Sequence, residues 1–233
     1  MISITLMPSD WGFGNRILFY NNLRQFAEKK GESWSSIPWE GHQYFVGDLL
    51  NGRQMGNARL GPCLGENFFE WRSIPTRKIF VLQGVSELKN TAAVHFRGGD
   101  FYDWNKDAIL KTSYYLDAID QIKDEVDEFI IFTDDENLQS YSEVEKHFED
   151  NNIKYDIGDN DRHNYINDFK KMSECDYIIS SPSTYCICAG FIGKQKKIIH
   201  SLDWINNRIE ADDKFWVDLY DGGNDDYSIW RLV

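Results

Sequence analysis

The sequence predicts an α/β fold built on a parallel sheet with helices on both faces. Three observations predict it. From residue 91 onward, short strand-like runs at 91–96, 129–132, 153–157, 177–179 and 197–200 alternate with helix-length segments. Phe129–Phe132 and Tyr177–Ile179 are apolar throughout, as strands covered on both faces must be. The chain has 233 residues and 42% hydrophobic content, enough to bury a sizeable core in one large domain or two small ones.

The elements follow in order. Ile2–Met7 reads as a short β-type run, and Gly12-Phe13-Gly14-Asn15-Arg16 follows it. The segment Ile17–Lys30 has apolar residues at 17, 18, 19, 23, 26 and 27, which is helical spacing, and Gly31 is a natural stop. Strand, glycine turn and helix open a nucleotide-binding α/β unit. The glycines leave room for a ligand at the helix start, where free N–H groups favour anions. Gly-x-Gly is a short signal, and a plain turn into a helix accounts for it as well.

Residues 32–78 carry Trp34, Trp39, Tyr44, Phe45, Phe68, Phe69 and Trp71 without a clean period. They read as packing aromatics, with a sugar-stacking wall as the alternative. A short element is expected around Val46–Leu50 and a strand at Ile79–Leu82. After residue 91, Tyr114–Val126 reads as a helix with Tyr115, Leu116, Ile119, Ile122 and Val126 on one face and Ser113 as its cap. A polar helix is expected over Glu136–Asn151, a helix over Asn167–Cys175, and a small-residue helix from Tyr185 to Gly190. The tail from Leu202 is aromatic and acidic, with Asp221–Asp226 as a loop.

Ligands on parallel sheets bind outside the carboxyl ends of the strands. His95–Asp100, Thr133–Asp135 and Ser180–Thr184 all follow strands, so they should converge in space. Arg97 offers a rigid fork of donors suited to a diphosphate. Arg97 and Asp100 could equally pair with each other in a tight turn. Ser183 and Thr184 supply hydroxyls and N–H groups at a helix start, for an anion or for simple capping. Asp168 is a helix-start carboxylate that could also bond a base or ribose. His95 could bond a ligand or be a satisfied buried histidine. Asp134 and Asp135 read as dipole-favoured carboxylates opening a helix.

Net charge is −13 and the pI is near 4.8, which argues against binding nucleic acid or anionic membranes. Cys63, Cys175, Cys186 and Cys188 have no zinc spacing and read as reduced thiols. No apolar run approaches a membrane span, so a soluble, cytoplasmic protein is expected, with peripheral membrane attachment left open. There is no Gly-x-x-x-x-Gly-Lys-Ser/Thr run and no Gly-x-Ser-x-Gly elbow. Asp134-Asp135 and Asp212-Asp213 are adjacent pairs, not Asp-x-Asp, so a metal-dependent transferase is not indicated.

His95-Phe96-Arg97-Gly98-Gly99-Asp100 resembles the His-x-Arg-x-Gly-Asp motif of the α-1,2-fucosyltransferases. Gly12–Arg16 is similar to the family's N-terminal glycine turn. Tyr114–Ile119, Phe132–Asp135, Asp168–Asp176 and Ser181–Tyr185 resemble later blocks of the family in the same order. Gly98 stands where the bacterial enzymes commonly have a second Arg. The resemblance implies a GT-B-like fold of two Rossmann-like halves, the N-terminal one reduced: an acceptor side over 1–90 and a donor-binding half over 91–233. It implies an inverting glycosyltransferase moving L-fucose from GDP-fucose to a glycan hydroxyl, without metal or other cofactor. Arg97 would hold the diphosphate, His95 and Asp168 the guanosine, and Ser183 and Thr184 the phosphates. Gly14, Asn15 and Arg16 would face the cleft from the other side. Asp10, Asp100 and Asp103 are candidate bases, with Asp100 preferred. Another GDP- or UDP-sugar donor, or a non-catalytic nucleotide-sugar or glycan-binding module, are the alternative readings.

Overall fold

The apolar runs assemble into one parallel sheet whose two faces bury alternate side chains. The computed structural model describes residues 2–4, 7, 11–46, 80–210 and 230–232. In its N-terminal part, β1 (Ile2–Ile4) pairs in parallel with β2 (Trp34–Ser36), and α1 (Phe13–Lys29) connects them. A short helix α2 (Gly41–Tyr44) leads into β3 (Phe45–Val46), which pairs antiparallel with β4 (Val81–Leu82). The larger part contains β5 (Leu88–Phe96), α3 (Phe101–Trp104), α4 (Thr112–Ile122), β6 (Glu128–Thr133), α5 (Gln139–Asp150) and β7 (Tyr155–Ile157). It continues with α6 (Tyr165–Glu174), β8 (Cys175–Ile179), α7 (Thr184–Ile192), β9 (Lys197–His200), α8 (Leu202–Glu210) and β10 (Trp230–Leu232).

The six strands from β5 to β10 lie in the order β10-β9-β8-β5-β6-β7, all parallel. The chain runs outward from β5 through β6 to β7, then returns to lay β8 on the other side of β5. This is the doubly wound order with its reversal between β5 and β8, and such reversals open a crevice at the carboxyl ends of the two strands. One face of the sheet presents Val94, Phe96, Phe129, Ile131, Tyr177 and Ile179 to the buried residues of α4, α5 and α8. The other presents Ala93, Ile130, Phe132, Ile178 and Ile198 to α6 and α7. Burying each large apolar side chain contributes about 2 kcal/mol, so covering both faces explains why the strands need no polar side.

The N-terminal residues share this second core. Phe13, Ile17, Tyr20, Trp39, Phe45 and Phe80 join the same buried cluster as Phe169, Met172 and Cys186. The described N-terminal residues therefore form two small strand pairs, α1 and α2, laid on the face of the six-stranded sheet that α6 and α7 cover, with no separate core of their own. The expected boundary at residue 90 falls inside β5, which begins at Leu88.

Several expectations shift. The helix expected to be capped by Ser113 begins at Thr112 with Lys111 at the cap position and no side-chain capping bond, so Ser113 lies within the first turn. Asp134 and Asp135 do not open a helix, because α5 begins at Gln139. They form a tight turn in which Thr133 Oγ1 accepts the Asp135 N–H at 3.1 Å and Asp135 Oδ1 accepts the Asn137 N–H at 3.0 Å. The helix of residues 17–30 starts four residues early, at Phe13, and ends before Gly31 as expected. Strand β10 was not legible in the aromatic, acidic tail. Asp10, Leu50, Cys63, Phe68, Phe69, Trp71, Ile79, Asp212, Asp213 and the Asp221–Asp226 loop lie outside the described residues. Cys175, Cys186 and Cys188 are free and buried. Among the described residues, no helix is long and apolar enough to cross a membrane.

Candidate functional site

A cavity of about 880 Å³ opens at the carboxyl ends of β5, β6 and β8, roofed by the start of α1. That volume lies within the range of small-molecule sites, about 300–1,000 Å³. All three strand-end segments contribute to it, as their places in the sequence predicted: His95, Arg97 and Asp100 after β5, Thr133 and Asp134 at the end of β6, and Ser183 and Thr184 after β8. Gly14, Asn15 and Arg16 line the opposite wall, and Asp168 lines the floor. Asp103, one of the candidate bases, is exposed and does not line it.

Arg97 stands at the end of β5 with its guanidinium between two carboxylates. Nη1 lies 2.7 Å from Asp134 Oδ2, and Nη2 bonds Asp100. The two partners differ in environment. The Asp134 side chain is 15% exposed and the Asp100 side chain 71%. Asp134 also accepts the Gly98 N–H at 2.8 Å, so one carboxylate fixes both the guanidinium and the backbone that follows it. The Arg97 guanidinium lies 5.1 Å from the centre of the Phe101 ring. Gly99, at φ +45, passes so close to Asp134 that an added Cβ would sit 2.6 Å from Oδ2. A side chain at Gly98 would meet Leu138 at 2.9 Å and Asp135 at 3.0 Å. The glycine pair is thus the space into which the Asp134 turn packs.

His95 is buried, with Nδ1 2.7 Å from Ser181 Oγ. Burial, and secondarily the charge of Arg97, push its pKa down to about 3, so the ring is neutral at ordinary pH. It reads as a satisfied buried histidine that also forms part of the cavity wall. Ser183 sits at the N-cap of α7, yet its hydroxyl makes no capping bond and borders the cavity. Thr184 donates to Asn15 Oδ1 at 2.8 Å, a bond that ties the start of α7 to the start of α1. Gly14 serves the same junction. A Cβ there would come within 2.4 Å of the Thr184 and Tyr185 backbone, so the glycine is required by helix packing and not by room for a ligand. Arg16 pairs with Glu40 at 2.6 Å.

Asp168 has both oxygens occupied. They accept the N–H groups of Asp159 at 2.9 Å and Asn160 at 2.8 Å. Burial raises its pKa, and these two bonds work in the opposite direction. The bonds organise the loop between β7 and α6, where Asn160 adopts φ +51 and its Oδ1 accepts the Thr133 N–H at 2.9 Å. That loop brings Asn160, Asp161 and Arg162 to the cavity. None of the three was legible in the sequence, because an irregular loop has no period. Trp11, Phe19 and Trp104 also line the cavity, Trp104 being 55% exposed.

Neither protein-family models nor curated proteins match this sequence. Three buried donors on cavity-lining residues have no hydrogen-bond partner among the described residues: Arg16 Nε, Arg97 Nε and Asn160 Nδ2. An orphaned buried donor costs about 1–3 kcal/mol, and small rearrangements around a bound acceptor would recover part of that. The site combines a guanidinium fork, a helix N-terminus, hydroxyls and aromatic walls. Chemically, it suits an anionic ligand with an attached ring system.

Proposed function

We propose that the protein is a glycosyltransferase that transfers L-fucose, with inversion, from GDP-fucose to a hydroxyl of a glycan acceptor. Its fold is then a reduced GT-B-like arrangement, with the donor held by the β5–β10 sheet and the acceptor admitted from the α1 side. The observation that carries this reading is the meeting of the Arg97 fork and the hydroxyl-bearing start of α7 in one cavity at the sheet's reversal point. The ordered sequence resemblance supplies the sugar and the nucleotide.

In this reaction the acceptor oxygen attacks the anomeric carbon while the bond from that carbon to the β-phosphate oxygen breaks. GDP leaves with the bonding electron pair, and the acceptor's proton goes to a carboxylate. Arg97 stabilises the charge developing on the diphosphate. It must first exchange a partner. Asp100, largely in solvent, is the one displaced, because an exposed ion pair holds by only about 0–1 kcal/mol. Asp134, more buried and bonded also to Gly98, stays. Donor binding therefore releases Asp100 at the cavity rim, where it can take the proton.

Incubation with GDP-fucose and a panel of saccharides should release GDP. Arg97→Ala should slow release about a hundredfold or more, and full activity in that variant would refute the mechanism. Thermal stabilisation by UDP but not by GDP would overturn the donor assignment. A second reading, nucleotide-sugar binding without transfer, is favoured by the pairing of both Arg97 terminal nitrogens with Asp100 and Asp134. It requires donor binding with no GDP release on any acceptor.

A further inference from the structure

The charges lining the cavity are unevenly paired. Arg16 is matched by Glu40. Arg97 carries one positive charge against the two negative charges of Asp100 and Asp134. Arg162 is different: its Nη2 donates to the backbone carbonyl of Asp134 at 2.7 Å, a neutral partner. No carboxylate pairs with it among the described residues. The nearby acids are committed elsewhere. Asp134 holds Arg97 and Gly98, Asp161 Oδ1 accepts the His163 N–H at 2.8 Å, and Asp168 holds the N–H groups of Asp159 and Asn160.

Arg162 is also aimed. The Asp159–Asn160 backbone is clamped to Asp168, Asn160 is clamped to β6 through Thr133, and Gly158 N–H donates to Ile131 O at 2.8 Å. Arg162 Nη2 lies 3.5 Å from the position a Cβ would take on Gly99, alongside the Arg97 turn. Asn160, two residues before it, presents its buried Nδ2 with no partner among the described residues and lines the same cavity. A guanidinium bound to a neutral carbonyl keeps its charge for an incoming anion and keeps donors for it.

We propose that Arg162 is a second diphosphate-binding residue, supplying the unbalanced positive charge that receives a nucleoside diphosphate in this cavity. This deepens the donor reading above and rests on it for the nucleotide. Arg97 neutralises one phosphate at the strand end, and Arg162 reaches the other from the β7–α6 loop. The role assigned to Asp168 follows: it positions the loop that carries Arg162.

Calorimetric titration of the full chain with GDP, GMP, UDP and inorganic pyrophosphate tests this, using the unaltered protein, Arg162→Ala, Arg162→Lys and, as a charge control just after α4, Lys123→Ala. The proposal expects Arg162→Ala to weaken GDP and pyrophosphate about tenfold to a hundredfold, the loss expected for one charge-assisted bond. GMP should weaken about threefold or less, Arg162→Lys should fall between, and Lys123→Ala should match the unaltered protein. Because Arg162 is exposed, its variants should melt with the unaltered protein. Two results would overturn the assignment: GDP binding by Arg162→Ala within about twofold of the unaltered protein, or equal weakening of GDP and GMP. The donor reading fails differently. If the unaltered protein binds pyrophosphate through Arg162 but no nucleotide, the anion site stands and the nucleotide is wrong. If it binds none of the four ligands, both readings fall.

Discussion

Replacing Gly14 by alanine separates helix packing from ligand room at the start of α1. The added Cβ would lie 2.4 Å from both the Thr184 carbonyl carbon and the Tyr185 nitrogen. Reaching an ordinary contact of 3.4 Å requires a separation of about 1 Å between α1 and α7. The opposing atoms are backbone, so no side chain can rotate away. Overpacking of this kind costs about 1–3 kcal/mol, and the upper part of that range applies here. Alanine's better helix propensity returns about 0.5–1 kcal/mol, leaving a net loss of about 2 kcal/mol. Gly12, two residues away, is the control. Nothing lies within 4 Å of its added Cβ, and losing a glycine cap costs only about 0.5–1 kcal/mol. Urea denaturation of the two variants beside the unaltered protein gives both values. If Gly14→Ala unfolds within about 0.5 kcal/mol of the unaltered protein, the helix junction is not as tight as described and the reasoning fails. Because Thr184 and Asn15 bond across the same junction, Gly14→Ala should also weaken GDP binding.

Asp134→Ala should destabilise the fold by about 1.5–3 kcal/mol, the worth of a hydrogen bond to a charged group. It removes the bonds to Gly98 and Arg97 together, and Asp134→Asn should recover part of the stability by keeping the Gly98 bond; equal losses in denaturation would show that Gly98 is not held by this side chain. Acid should weaken the protein through its buried histidines. His95 and His200 are both depressed to about 3 by burial, so between pH 3 and 6.5 the unfolded chain binds protons that the folded chain does not, and stability falls as pH falls. At pH 5 each histidine contributes a loss of about 2 kcal/mol relative to pH 7. His200→Gln should therefore flatten the pH dependence of the urea midpoint; an unchanged slope would remove His200 as its source.

The strand and helix pattern from β5 to β9 was legible because its signals are local. A four-residue apolar run such as Phe129–Phe132 and a helical face such as Tyr115–Ile119–Ile122 each declare themselves within one window. Capping was less legible. Ser113 and Asp134 are residue types that open helices, but Ser113 lies inside the first turn of a helix that starts at Thr112, and Asp134 lies about one turn before the start of α5 at Gln139. The meeting of His95–Asp100, Asp134 and Ser183 in one cavity followed from a rule about strand ends, not from any contact visible in the chain. Arg162 and Asn160 carried no signal at all, since an irregular loop is organised by its bonds to Asp168 and Thr133 and not by its own composition.

By itself, the sequence determined the kinds of element, the parallel sense of the sheet, the acidic surface and the chemical groups standing at the strand ends. These depend on the spacing and chemistry of near neighbours, which any fold must respect. Only the tertiary structure decided which guanidinium is balanced. Arg162 reaches Asp134 across 28 residues, and Thr184 reaches Asn15 across 169. The order of the strands sets both distances. That order is chosen by how both sheet faces are covered and by where α1 can approach α7. This is a property of the whole packed chain, and no single segment encodes it.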